Sequence, residues 1–226
     1  MNIYLDIETI PAQPEDVTKA EIAKTVSAPA QMSKPETIAE WHSGIGKYAG
    51  VKDAAIEDQY RKTSFDGAHG EIISLAYGTD SGKREVFYRN LRDSEADLLK
   101  EAFGSISESL GRANSVFFVG HNIPWDLKFI WQRAVILRVA PPFEIPYWGR
   151  HGTNFWDNMQ AWAGYNGKIS QDNLCKAFGI KGKPDDIDGS KVWDFVKRGD
   201  VKRVSEYNLD DIWKVIAIYN RIKFIN

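Results

Sequence analysis

Asp6 and Glu8 stand two residues apart in the stretch Ile3-Tyr4-Leu5-Asp6-Ile7-Glu8-Thr9. The alternation predicts a β-strand with Ile3, Leu5 and Ile7 on one face and both carboxylates on the other. On a central strand two such carboxylates repel each other and lose hydration unless a cation lies between them. Hard divalent ions such as Mg²⁺ take oxygen ligands of this kind, often together with substrate phosphates. An amphipathic edge strand with a solvated acidic face fits the same pattern, so downstream partners decide. Asp126 is one candidate, in Gly120-His121-Asn122-Ile123-Pro124-Trp125-Asp126, where Pro124 marks a helix start and Asp126 falls in its first turn. Tyr207 and Asp211 are four residues apart in Ser205-Glu206-Tyr207-Asn208-Leu209-Asp210-Asp211-Ile212-Trp213, which is read as opening a helix, and they share its face. There a carboxylate can hold a metal while a phenol one turn away orients a water or donates to a phosphate. Each also has a plainer reading: Asp126 as a complement to the helix dipole, Tyr207 as a packing residue, Asp211 as a solvated first-turn acid.

The elements that must position these groups follow from periodicity. Residues 15–66, after Pro11 and Pro14, are polar and helix-leaning, with helix starts at Gln13, next to Pro14, and at Ser33, two residues before Pro35. They are too poor in large apolar residues to hold a core of their own, so they read as a helical insertion within one domain spanning 1–226. An excursion directly after a chemistry-bearing strand is often a lid or substrate wall. Glu71 to Gly78 and Arg84 to Tyr88 predict a hairpin across the turn Asp80-Ser81-Gly82-Lys83. Asp93 to Leu110 has helical periodicity, with Asp93 or Ser94 as cap and Gly111 as stop. Ser115 to Val119 is a nearly continuous apolar run, as in a parallel strand buried on both faces. Asp126 therefore follows the carboxyl end of a strand, where open α/β sheets collect ligands.

Composition narrows the classes. At 43% hydrophobic residues, 226 residues can bury the core of one α/β domain, and wholesale disorder is not expected. Residues 1–120 carry 13 Lys/Arg against 19 Asp/Glu, and residues 121–226 carry 16 against 12, so the second half is the expected grip for a polyanion. Cys175 is the single cysteine, which rules out an intramolecular disulfide and a cysteine-built zinc site. Acidic Asp6 and Glu8 occupy the place of a signal peptide's apolar run, and the most apolar later stretch, Ala134 to Phe143, is broken by Arg138 and ends in two prolines. A soluble cytoplasmic protein with no membrane association is expected.

Taken together, Asp6/Glu8, Asp126 and Tyr207-x-x-x-Asp211 resemble the three exonuclease motifs of the DEDD superfamily of proofreading 3′→5′ exonucleases. Tyrosine four before the last aspartate matches the DEDDy branch; the DEDDh branch has histidine five before it, where this chain has Glu206. Phe155-Trp156-Asp157-Asn158-Met159 and Ser170-Gln171-Asp172-Asn173-Leu174-Cys175-Lys176-Ala177-Phe178-Gly179-Ile180 are similar to the segment between the second and third motifs of predicted exonucleases related to the exonuclease domain of family B DNA polymerases. Lys183-Pro184 and Asp188-Gly189-Ser190 continue the likeness, which covers about residues 1–10 and 70–226. Trp125 stands where such sequences more often carry phenylalanine, and residues 15–66 show no family motif.

The resemblance implies an α/β, ribonuclease-H-like fold: a mixed β-sheet flanked by helices, with the helical insertion after the first strand. It implies a two-metal 3′→5′ exonuclease with Mg²⁺ or Mn²⁺ held by Asp6, Glu8, Asp126 and Asp211. Asp6, Glu8 and Asp211 would hold one ion, Asp6 would bridge to a second supported by Asp126, and Tyr207 would position the nucleophilic water. Thr9, Asn122 and Trp125 are the substrate-contacting candidates, although Asn122 equally suits a helix cap and Trp125 core packing. Asp157 could support the site or start a helix, and His121 suits packing or hydrogen bonding. The expected substrate is the 3′ end of single-stranded DNA, with RNA as the alternative because discrimination rests on the 2′-hydroxyl. A non-catalytic binding module on the same fold is the rival of another class. With no polymerase or helicase segment in view, the chain is expected to act alone or in trans beside a polymerase or a replication or repair partner.

Overall fold

The first strand, β1 (Asn2–Ile10), lies in the middle of a five-stranded sheet. The other strands are β2 (Glu71–Thr79), β3 (Arg84–Tyr88), β4 (Phe117–Gly120) and β5 (Phe155–Asp157), in the order β3-β2-β1-β4-β5. The computed structural model describes residues 1–111, 116–182 and 184–225. Ser115 of the expected fourth strand and Lys183 of the quoted motif lie outside the described residues. The sheet is mixed: β4 runs parallel to β1 from Asn2↔Phe117 to Tyr4↔Val119, β5 runs parallel to β4, and β2 with β3 forms the antiparallel hairpin.

The chain falls into two compact units, Met1–Thr9 with Ile72–Asn226, and Ile10–Glu71. In the first, Ile3, Leu5 and Ile7 of β1 pack with helices α4 (Glu95–Leu110) and α5 (Ile123–Leu137) in the larger core. Tyr4, on the opposite face, packs with Ile212, Val215 and Tyr219 of the long helix α9 (Val201–Ile222). Alternation along β1 thus separates an apolar face from one that turns polar two residues after Tyr4. Ser94 caps α4 by accepting from the Asp97 amide, and Gly111 stops it. At the start of β2, Glu95 accepts from the Ile72 amide (2.8 Å) and pairs with buried Arg133 of α5 (2.6 Å), tying both helices to the strand.

Helix α9 begins at Val201, four residues before the predicted opening at Ser205. Gly199, at φ 85°, ends α8 (Val192–Lys197), and the buried Val201 and Val204 anchor an added first turn. Tyr207 and Asp211 consequently sit well inside the helix, and Asp211 is buried rather than a solvated first-turn acid. The three-residue strand β5 is an addition to the predicted elements; it leads into α6 (Asn158–Ala163), and α7 (Gln171–Phe178) then packs Leu174 and Cys175 against Ile218 of α9.

The second unit contains α1 (Glu15–Thr25), α2 (Pro35–Ser43) and α3 (Val51–Lys62). The caps differ by one residue from the predicted ones: Pro14 for α1 and Lys34 for α2, whose first position is Pro35. Helix α1 buries no residue, and Lys19 links it to α3 by pairing with both Glu15 and Glu57.

Candidate active site

The face of β1 that carries Tyr4 carries Asp6 and Glu8 next, and α9 supplies what they meet. Asp6, Glu8 and Asp211 each offer a carboxylate oxygen, all within 4.8 Å of one another. Glu8 is 9% exposed and Asp211 4%, so mutual repulsion is barely screened by solvent. Fully buried Asn208 donates from Nδ2 to Asp6 Oδ2 at 2.6 Å and accepts from the Ser74 hydroxyl of β2 at 2.8 Å. Lys214 Nζ reaches Asp211 Oδ1 at 2.8 Å and Asp210 Oδ2 at 2.7 Å. Gln171, opening α7, donates to the Asp211 carbonyl oxygen at 3.1 Å.

Tyr207 is 2% exposed, and its phenol is held far above its ordinary pKa, first by burial and then by the charges of Asp211, Glu8 and Asp6. It therefore stays protonated and can donate a hydrogen bond.

Asp126 arrives from the other side of the sheet. Strand β4 ends at Gly120, so β1 loses its neighbour on that side beyond its early residues. Asp126 Oδ1 accepts from the Ile7 amide at 3.2 Å in the space so opened. Gly120 makes the approach possible: a Cβ there would lie 2.8 Å from Ile123 Cβ and 3.0 Å from the Leu5 carbonyl oxygen. Burial first, and then the charge of Asp6, push the Asp126 carboxyl well above the usual carboxylate range. Asp126 lies outside the group of three formed by Asp6, Glu8 and Asp211.

The substrate-contacting candidates are less gathered. Asn122 is exposed and takes the N-cap position of α5 with left-handed backbone (φ 63°), but its side chain makes no capping bond. Its amide donates to Asp157 Oδ1 at 2.8 Å instead. Asp157 also caps α6 through the Met159 amide (2.9 Å), so it starts a helix and holds the Asn122 loop at once. Trp125 is half-buried and packs with Phe129, ring centroids 5.3 Å apart. Thr9 is half-buried at the end of β1, and His121 Nε2 lies 2.9 Å from the Ile169 carbonyl oxygen.

Asn208, Gln171 and Lys214 are absent from the predicted site. Lys214 had a signal, three and four residues after two aspartates on one helix. The other two bond across gaps of 202 and 40 residues and carry no local signature.

Residues 72–226 match the family described as "Predicted 3'-5' exonuclease related to the exonuclease domain of PolB". Asp126, Tyr207 and Asp211 fall inside that span; Asp6 and Glu8 precede it. None of the functionally curated proteins matches the sequence. Among solved structures, the family B DNA polymerase from the hyperthermophilic archaeon Pyrobaculum calidifontis is similar in fold at a TM-score of 0.58 and 15% sequence identity. The similarity covers 98% of this chain and 24% of the polymerase, so the chain spans about a quarter of that protein's length. The mixed sheet with flanking helices is thus the ribonuclease-H-like α/β fold expected from the sequence. No helix among the described residues is long and apolar enough to cross a membrane. With more than half of its length matched, the chain belongs to the family of predicted 3′→5′ exonucleases related to the exonuclease domain of PolB.

Proposed function

We propose that this chain hydrolyses phosphodiester bonds from the 3′ end of nucleic acid, single-stranded DNA before RNA, using two divalent cations, Mg²⁺ or Mn²⁺. The observation that carries the reading is the convergence of Asp6, Glu8 and Asp211 to within 4.8 Å on the α9 face of the sheet. The donor set fits hard cations: three carboxylates, two of them buried, at a spacing a bound ion would relieve. Asp6, Glu8 and Asp211 would hold one ion, and Asp6 with Asp126 the second. When bound, such ions polarise phosphoryl oxygens and lower the pKa of a coordinated water.

The chain's own residues do the rest. Tyr207, kept neutral, donates a hydrogen bond that orients the attacking water or a phosphate oxygen. Asp126 fixes the β1 backbone at Ile7, between the two strand carboxylates, so their spacing is set before substrate arrives. Asn208 fixes the rotation of the Asp6 carboxylate. Thr9, Asn122 and Trp125 contact the terminal nucleotides, with the exposed part of the Trp125 ring available to a base. The DEDDy assignment rests on Tyr207 four residues before Asp211. A polymerase or another replication or repair enzyme would be the partner whose 3′ ends it trims.

The test is digestion of end-labelled single-stranded DNA and RNA of matched sequence with Mg²⁺, Mn²⁺ or EDTA, comparing wild type with Asp6→Ala and Asp211→Ala. A ladder shortening from the 3′ end, abolished by chelation and by both substitutions, is expected, with DNA degraded faster. Intact substrates with folded, ion-bound wild type would refute the reading in favour of a non-catalytic binding module; faster loss of RNA would reassign the substrate.

A further inference from the structure

Lys214 is a buried ammonium facing the carboxylate group. It is 3% exposed, although it stands on the same helix as Asp210, whose side chain is 49% exposed and offers a surface partner. An i,i+4 pair with Asp210 alone would leave the ammonium in water, where such pairs contribute little. Instead Nζ also lies 2.8 Å from Asp211 Oδ1, beside a carboxylate 5% exposed, and 5.8 Å from the centroid of the Tyr207 ring. Removing an ammonium from water is costly unless it is fully paired, so the pairing with Asp211 accounts for the buried position. Lys214 thereby engages one oxygen of a candidate ion ligand, Asp211.

We propose that Lys214 is a resident counter-cation of the site, a positioning residue that holds Asp211, stabilises the ion-free protein and keeps divalent-ion binding loose enough to be reversible. The proposal rests on the reading of Asp6, Glu8 and Asp211 as ion ligands. A fixed positive charge a few ångströms from a divalent ion opposes its binding. At the effective dielectric of a partly buried site, losing that charge tightens ion binding on the order of ten-fold or more.

The experiment is calorimetric titration of the substrate-free full chain with Mn²⁺, for wild type, Lys214→Met, Lys214→Arg and Asp211→Asn, with melting temperatures in EDTA. Lys214→Met is expected to bind Mn²⁺ about ten-fold tighter, to melt below wild type in EDTA and to recover at saturating Mn²⁺. Lys214→Arg, which keeps the charge, is expected to retain wild-type affinity; Asp211→Asn is expected to lose the binding. If Lys214→Met does not fold without metal, Lys214→Gln replaces it in the same comparison. Unchanged or weaker Mn²⁺ binding by a folded Lys214→Met overturns the counter-cation role alone. Absence of Mn²⁺ binding by wild type overturns the ion-ligand reading and this role with it.

Discussion

Replacing Asn208 with alanine removes two hydrogen bonds from a fully buried position, and the structure states what each one holds. The bond to Asp6 Oδ2, at 2.6 Å, is charge-assisted and contributes about 1.5–3 kcal/mol; the bond from the Ser74 hydroxyl, at 2.8 Å, contributes about 1 kcal/mol. Their joint loss is expected to lower stability by about 3 kcal/mol, a large part of the roughly 5–15 kcal/mol that holds a domain folded. Urea unfolding in EDTA measures that loss. The Asp6 carboxylate also loses this restraint, and a displacement near 1 Å at a reacting centre costs about a hundred-fold in rate. The second readout is therefore exonuclease turnover at saturating Mn²⁺. Ser74→Ala, which removes only the outer bond, is expected to cost about 1 kcal/mol with a smaller loss of activity. A stability loss under about 1 kcal/mol in Asn208→Ala, with turnover intact, would show that Asp6 is held by other contacts and would refute the reasoning.

In EDTA, Asp126→Asn should be more stable than wild type at pH 7. The Asp126 carboxyl is raised in the folded chain, so folded protein holds the proton more tightly than unfolded chain, and wild-type stability falls as pH rises from about 4 through the raised value. Asparagine can still accept from the Ile7 amide but does not titrate, so the advantage should vanish below about pH 4 in unfolding titrations; a variant no more stable at pH 7 contradicts the raised carboxyl. Gly120→Ala should cost about 1–3 kcal/mol in urea unfolding, since Ile123 Cδ1 can rotate away but Ile123 Cβ at 2.8 Å and the Leu5 carbonyl oxygen at 3.0 Å are fixed by the backbone. Cys175 is fully buried, and burial pushes its thiol up to about 11. Alkylation at pH 8 should therefore proceed only as fast as the protein unfolds, and rapid labelling of folded protein would show an accessible thiol.

The parts legible in the sequence are those carried by local periodicity. Asp6 and Glu8 declared their shared face because a strand repeats every two residues. Asp126 was placed by a proline at the head of a helix, and Tyr207 with Asp211 by one helical turn. Strand β5 is three residues long, too short for any alternation to register. The true start of α9 was masked because Asp200 makes no side-chain capping bond, so the first turn is anchored by buried valines instead of by a cap. Asn208 and Gln171 depend on partners distant in sequence. Lys214 is the instructive case: Lys62 and Asp58 show the same four-residue spacing, yet both side chains there are more than 60% exposed. Spacing announces a pair; burial gives it a role, and burial is settled by the sheet that α9 covers.

One feature of the fold bears on how the protein comes into being. The carboxylate group draws on β1 and α9, and Asn208 and Asp6 are 202 residues apart. At about 5–20 residues per second, a ribosome needs roughly ten to forty seconds between making the first half of this group and the last. Throughout that interval Asp6 and Glu8 have neither Asp211 nor Lys214 beside them, although both strands that flank β1 in the sheet, β2 and β4, are made well before its end. The nascent polypeptide thus carries no assembled carboxylate group until Asp211 has been made.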